Sequence, residues 1–202
     1  MPLNHLFSEA KIGSLTLKNR VVLPAMGTLY SDKGGFVSDK LIAYHAARAA
    51  GGCGMNIVEI AAVHPTTKGP RNLGIYDDSF IPGLTRLAES INKAGGRAAI
   101  QLWHGGRQTY SRLTGRPLVA PSPIPCPFCK DMPEELTGEL IEEIIEAFGD
   151  AALRARKAGF DAVEVHGAHG YLIAGFMSPY SNKRTDEYGG SLENRARFAL
   201  AV

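Results

Sequence analysis

Cysteine is scarce in this 202-residue chain: Cys53, Cys126 and Cys129 are all there is. So sparse and odd a set does not make a disulfide-stapled secreted domain, and it points to a reducing, cytoplasmic setting. An excess of charge is missing too, since 22 Lys+Arg against 20 Asp+Glu leave a net charge of +2. That balance gives no reason to expect nucleic acid or a membrane surface as partner. No apolar run approaches the roughly twenty residues that span a bilayer. The start Met1-Pro2-Leu3-Asn4-His5 lacks the basic-then-apolar order of a secretory leader. What is present, 45% hydrophobic and 21% charged residues, is ordinary globular composition, and the length admits one large domain or two small ones.

Short apolar runs alternate with amphipathic ones. A small hairpin is expected from Phe7 to Leu17, then a buried strand over Arg20-Val21-Val22-Leu23-Pro24-Ala25. Ser38-Asp39 reads as a helix start, with Leu41, Ile42, His45, Ala46 and Ala49 on one face and Gly51-Gly52 as its stop. A second strand follows over Asn56 to Val63, and Ser79 opens a helix carrying Ile81, Leu84, Leu87, Ala88 and Ile91. Arg97 to Trp103 is the third strand, and a loop rich in proline and arginine runs from His104 to Pro133. Thr137 caps the longest helix, with Ile141, Ile144, Ile145, Phe148 and Ala152 facing inward. Gly159 ends it, Asp161 to His166 forms a fourth strand, and Ser191 begins a further helix.

Such alternation indicates a parallel sheet covered by helices. An open dinucleotide-binding sheet needs a glycine fingerprint after its first strand. Here that strand runs into Pro24-Ala25-Met26-Gly27-Thr28, and Gly51-Gly52-Cys53-Gly54 precedes a strand instead of following one. A barrel fits better. In such a barrel the chemistry sits where strands end, which draws attention to His166-Gly-Ala-His-Gly-Tyr171 after the fourth strand. Histidine can donate a hydrogen bond to a substrate oxygen, and a tyrosine hydroxyl can deliver a proton.

The chain resembles the flavin-dependent Old Yellow Enzyme family, on residues spread over essentially its whole length. These are Leu6-Phe7, Leu17-Lys18-Asn19-Arg20-Val21, Pro24-Ala25-Met26, Gln101-Leu102-Trp103-His104-Gly105-Gly106-Arg107 and, most specifically, Ser178 through Arg195. Within the family it is most similar to the branch of 2-enoate reductases and 2,4-dienoyl-CoA reductases. The resemblance implies a TIM (β/α)8 barrel holding FMN at its strand ends, with NADH or NADPH as electron donor. It implies hydride transfer from flavin N5 to an activated C=C of an α,β-unsaturated carbonyl compound. His166 and His169 match the pair that grips the carbonyl oxygen, Tyr171 the proton donor, and Gln101 the residue at the flavin pyrimidine edge. Pro24, Ala25 and Met26 match the segment against the isoalloxazine ring. Gly27 departs from the family, which often places threonine or cysteine there to tune the flavin; the Gly27 backbone N–H and the Thr28 hydroxyl both remain options for that contact.

About four βα units and the N-terminal hairpin are expected in residues 1–202, which reads as a partial FMN-binding domain lacking the C-terminal barrel strands. Barrels of this kind hold phosphate in the loops after strands seven and eight, so weak or no FMN binding by the chain alone is expected. So are open strand edges, and with them either a homo-oligomer or pairing with the missing barrel half. An iron–sulfur cluster is expected only in a longer parent protein, and no metal site is assigned here. Two other readings of the barrel are a flavin-dependent amine or steroid-type oxidoreductase and a non-catalytic fragment. Cys126-Pro-Phe-Cys129 has the spacing of a redox pair or half a zinc site. It lies in a proline-rich connection, away from a helix start and further ligands, so the reading assigns it neither role. Arg184, Asp186, Arg195 and Arg197 are assigned to holding the loop after the fourth strand.

Overall fold

A ladder of parallel strands organises the chain, described over residues 3–202 in a computed structural model; Met1 and Pro2 lie outside the described residues. The hairpin comprises β1 (Ala10–Ile12) and β2 (Leu15–Leu17), antiparallel with Ala10 opposite Leu17. There follow β3 (Val22–Leu23), α1 (Asp39–Ala50), β4 (Met55–Ala62), β5 (Leu73–Gly74), α2 (Ile81–Lys93) and β6 (Arg97–Trp103). The remainder is α3 (Ser111–Thr114), β7 (Val119–Ala120), β8 (Glu134–Glu135), α4 (Gly138–Lys157), β9 (Ala162–Val165), α5 (Leu172–Met177) and α6 (Leu192–Ala201). The sheet runs β3-β4-β6-β9, every pair parallel, with β5 added to the far end of β4.

Helices α1, α4 and α6 start where a short polar side chain captures a free N–H. Ser38 accepts from Leu41, Thr137 from Leu140 and Ser191 from Asn194. The start before α2 differs from expectation. Asp77, not Ser79, is the cap: its carboxylate accepts the Ser79 N–H at 2.9 Å and a 3-10 turn over Asp78–Phe80 leads into the helix. The first strand is also shorter than the expected Arg20–Ala25. Asn19 bonds the Val21 N–H and the Gly52 carbonyl, which makes the entry a turn, and Pro24 has no N–H with which to continue the ladder. The loop from His104 to Pro133 is not featureless, because α3 and the strand β7, which pairs with β8, lie in and beside it.

The strand period divides the residues between two faces. Val58, Ile100, Leu102, Leu41, Leu84, Ile91, Ile144 and Phe148 belong to the buried core that the helices make with one face of the sheet. Ile57, Ala99 and Ala162 stand in register across β4, β6 and β9 on the other. There they pack near Leu17 and Met55, with the hairpin closing that end. The next row on that face is Ile60, Gln101 and Glu164. The register shifts between Val58 and Ile60, so Glu59 is the extra residue of a β-bulge.

Candidate active site

Because the strands are parallel, their C-terminal ends lie at one edge of the sheet. The loops there are stitched together by the backbone: the His166 N–H donates to the Leu102 carbonyl at 3.0 Å, and the Leu172 N–H to that of His104 at 3.1 Å. The second contact needs Gly106, whose φ is +56° and where a Cβ would stand 3.1 Å from Leu172 Cα.

After β9 the chain turns sharply. His169 takes a left-handed φ of +58°, followed by Gly170 at +73°, which swings the His169 ring back toward His166. A non-glycine residue held there is uncommon and collects at functional sites. His169 Nδ1 lies 3.2 Å from His166 Nε2. The Ala168 N–H donates to His166 Nδ1 at 3.2 Å, so a neutral His166 carries its proton on Nε2, facing His169. Burial, then the neighbouring His169, lower the pKa of His166 and keep its ring neutral. The Tyr171 ring meets that of His166 edge-on at 4.8 Å, and Trp103 at the end of β6 packs edge-on against Tyr171 at 5.3 Å. His166, His169 and Tyr171 thus form one cluster.

Gln101 sits a strand away, its Nε2 donating to Glu164 at 2.6 Å, which leaves the amide oxygen without a partner from the side chains around it. Pro24, Ala25, Met26 and Gly27 follow β3 on the far side of β4, at the same end of the sheet but apart from the histidine cluster. Met26 is 59% exposed, and a Cβ on Gly27 would meet nothing within 4 Å. Thr28 is turned away: its N–H donates to Glu59 at 2.6 Å and its hydroxyl also bonds that carboxylate. Burial raises the Glu59 pKa, against those two bonds. Glu59 and Glu164 are absent from the sequence-based site. The available signal is a lone acid inside each apolar run, Ile57-Val58-Glu59-Ile60 and Val163-Glu164-Val165.

Behind the site a hydrogen-bonded chain runs from Glu143 to His64 (2.9 Å), Thr66 (2.8 Å) and His104 (2.9 Å). His104 then accepts from the Gly106 N–H, and Thr67 from the Gly105 N–H, which fixes the His104-Gly-Gly-Arg107 turn. The loop after β9 is held by buried Arg184, which donates to the Pro121 and Leu136 carbonyls and pairs with Asp186. Arg195 and Arg197 donate to the Met177 and Glu187 carbonyls. All four charged residues are engaged in scaffolding. Among the described residues no group of three or more His, Cys, Asp or Glu is placed to hold a metal, and no helix is long and apolar enough to cross a membrane.

Residues 5–202 match the model of a family described as NADH:flavin oxidoreductase / NADH oxidase. An NADH oxidase of Thermoanaerobacter brockii is 48% identical over 201 residues, which cover 98% of this chain and 31% of that protein. An NADPH dehydrogenase of Halalkalibacterium halodurans is 50% identical over 199 residues, 98% of this chain and 58% of that one. The solved structure of the old yellow enzyme homologue from Zymomonas mobilis superposes with a TM-score of 0.91 at 31% identity, covering 97% of this chain and 57% of its own. The chain therefore spans from under a third to under three fifths of the length of these proteins. Its parallel sheet and helices correspond to one part of an Old Yellow Enzyme TIM barrel.

Proposed function

The chain belongs to the NADH:flavin oxidoreductase / NADH oxidase family, and from that premise we propose that residues 1–202 are a partial FMN-binding domain carrying the substrate face of an ene reductase. The observation that carries this reading is the His166–His169–Tyr171 cluster, two ring nitrogens 3.2 Å apart with a phenol ring against them. The residues also suit a flavin. Open space beside Gly27 and the exposed Met26 make an apolar ledge for a flat ring. Gln101 brings an amide to the end of β6, matched to the imide edge of a pyrimidine. Pro24 to Gly27 and Gln101 would hold FMN there, and once reduced by NADH or NADPH it would supply the hydride for the β-carbon of an α,β-unsaturated carbonyl compound.

The chain's own part is to grip the substrate and give a proton. A carbonyl oxygen entering between the histidine rings replaces their mutual hydrogen bond, accepting the His166 Nε2–H and, once His169 carries its proton on Nδ1, the His169 N–H as well. As hydride arrives at the β-carbon, negative charge grows on that oxygen, and donors already in place stabilise it most at that moment. The lowered pKa of His166 keeps its role that of a neutral donor. Tyr171, beside His166 and braced by Trp103, delivers its phenolic proton to the α-carbon. The rings favour carbonyl substrates over amines, which would bring a competing donor to them. The sparse cysteines support a cytoplasmic setting.

In the full-length, flavin-loaded protein, stopped-flow traces of Tyr171→Phe are expected to show flavin reduction by NADH or NADPH as in the unsubstituted protein. Reoxidation by the alkene should slow about a hundredfold or more, the usual contribution of a general acid. Unchanged reoxidation would assign the acid to another group.

A further inference from the structure

Cys126 and Cys129 stand outside the flavin site and have no part in the chemistry above. One turn, closed by the Lys130 N–H donating to the Cys126 carbonyl at 2.8 Å, brings the two thiols together. Each thiol lies close enough to act electrostatically on the other. Cys126 is buried, while Cys129 is partly exposed beside Phe128, which is 87% exposed. The backbone N–H groups of Cys129 and Phe128 are directed at the Cys126 sulfur, and Arg107 places positive charge near it. Arg107 is itself tied to this segment, donating to the Ile124 and Pro125 carbonyls at 3.2 and 3.1 Å. The pair therefore joins an accessible thiol to a buried one whose anion has donors waiting.

We propose that Cys126 and Cys129 are a thiol–disulfide exchange site for low-molecular-weight disulfides, with Cys129 as the entry thiol and Cys126 as the resolving one. Cys129, as thiolate, attacks one sulfur of a disulfide RSSR; a Cys129–SR bond forms and RS⁻ leaves, taking up the proton that Cys129 lost. Cys126, as thiolate, then attacks the Cys129 sulfur, forming the Cys126–Cys129 bond and expelling the second RS⁻, which takes up the Cys126 proton. The dithiol is oxidised by two electrons and RSSR is reduced to two RSH. In reverse, an external thiolate attacks the exposed Cys129 sulfur and Cys126 leaves. The donors around Cys126 lower its pKa against the effect of burial, and burial raises that of Cys129. Such a pair makes Cys126 the better leaving group. In a reducing cytoplasm a pair of this kind is transient and redox-sensing. The site has an address in the fold: Cys126 lies 3.9 Å from Gln108 Oε1, which stands against Gly170, the residue before Tyr171.

The test uses the 202-residue chain, oxidised glutathione as probe, rapid alkylation and peptide mass mapping, with Cys53 as internal control. The expected product is a peptide carrying Cys126 and Cys129 that has lost two hydrogen atoms and regains them with dithiothreitol. Cys126→Ser should trap a glutathione adduct on Cys129, and Cys129→Ser should slow adduct formation at Cys126 about tenfold for want of access. Separate glutathione adducts on both cysteines of the parent chain would overturn the proposal. So would two cysteines that stay fully alkylatable in a buffer that forms the adduct on Cys53.

Discussion

Two of the buried histidines, His45 and His104, stand outside the site and are held neutral, and they differ in what surrounds them. His104 has its nitrogens engaged by Thr66 and Gly106, whereas both ring nitrogens of His45 lack a partner. Burial lowers the pKa of His45 to about 4, with Arg48 adding to the effect, and that of His104 to about 3, with His64 adding there. Both fold as the neutral form and take up a proton more readily when unfolded. Their stabilisation is complete above the unfolded value near 6.5 and is lost as pH falls from there through the folded values. Denaturant unfolding followed from pH 8 downward should therefore weaken below about pH 6.5, before carboxylates protonate. His45→Leu removes two unsatisfied buried nitrogens at similar volume and should stabilise the chain by about 1 kcal/mol at neutral pH. It should also flatten the acid slope; an unchanged slope would put that sensitivity elsewhere.

At the scale of elements, the long loop after β9 depends on one guanidinium. Arg184 reaches the carbonyls after β7 and β8, so it joins the α5–α6 connection to a strand pair more than forty positions earlier. Asn182 bonds the Phe176 and Tyr188 carbonyls, and the Tyr188 hydroxyl bonds Glu142 on α4. Arg184→Lys keeps the charge but not the planar fork, and two buried carbonyls lose their donor. A loss of about 2 kcal/mol in unfolding free energy is expected, with proteolytic cleavage appearing first between Ser178 and Gly190. Uncut loops at parental stability would mean lysine reaches the same acceptors. These elements also mark how far the sequence can be read. β6 is legible to its last residue because an apolar run lies between Gly95-Gly96 and a polar loop, and α4 because Thr137 precedes a helical stripe. The pairing of β7 with β8 and the six-residue α5 are too short to show a period, and are fixed by contacts such as those of Arg184. At the site, the residues His166, His169 and Tyr171 are legible by motif, but the φ of His169 that brings the rings together is not. Nor is the bulge that turns Glu59 to Thr28, since sequence gives no register between strands.

On the scale of the whole molecule, the sheet has two ends and neither is protected. β3 is two residues long and offers little ladder to pair with, but β9 has four, with Val163 and Val165 40% and 43% exposed. A strand edge with apolar side chains and unpaired N–H and C=O groups is a template for another strand. The face that holds the Ile57–Ala99–Ala162 row is covered by the hairpin at one end only, so apolar surface adjoins the open edge. The net charge of +2 provides little repulsion between copies. Sedimentation velocity over a concentration series should therefore show reversible self-association through β9. Val163→Lys places a charge on that edge, outside the site residues, and should shift the equilibrium about tenfold toward monomer, the effect of ~1.4 kcal/mol. If the parent chain sediments as a monomer throughout, the edge is blunted by its own twist and length. If it associates and Val163→Lys changes nothing, the contact lies on the uncovered face of the sheet, where Gln101 is, and added FMN should then compete with it.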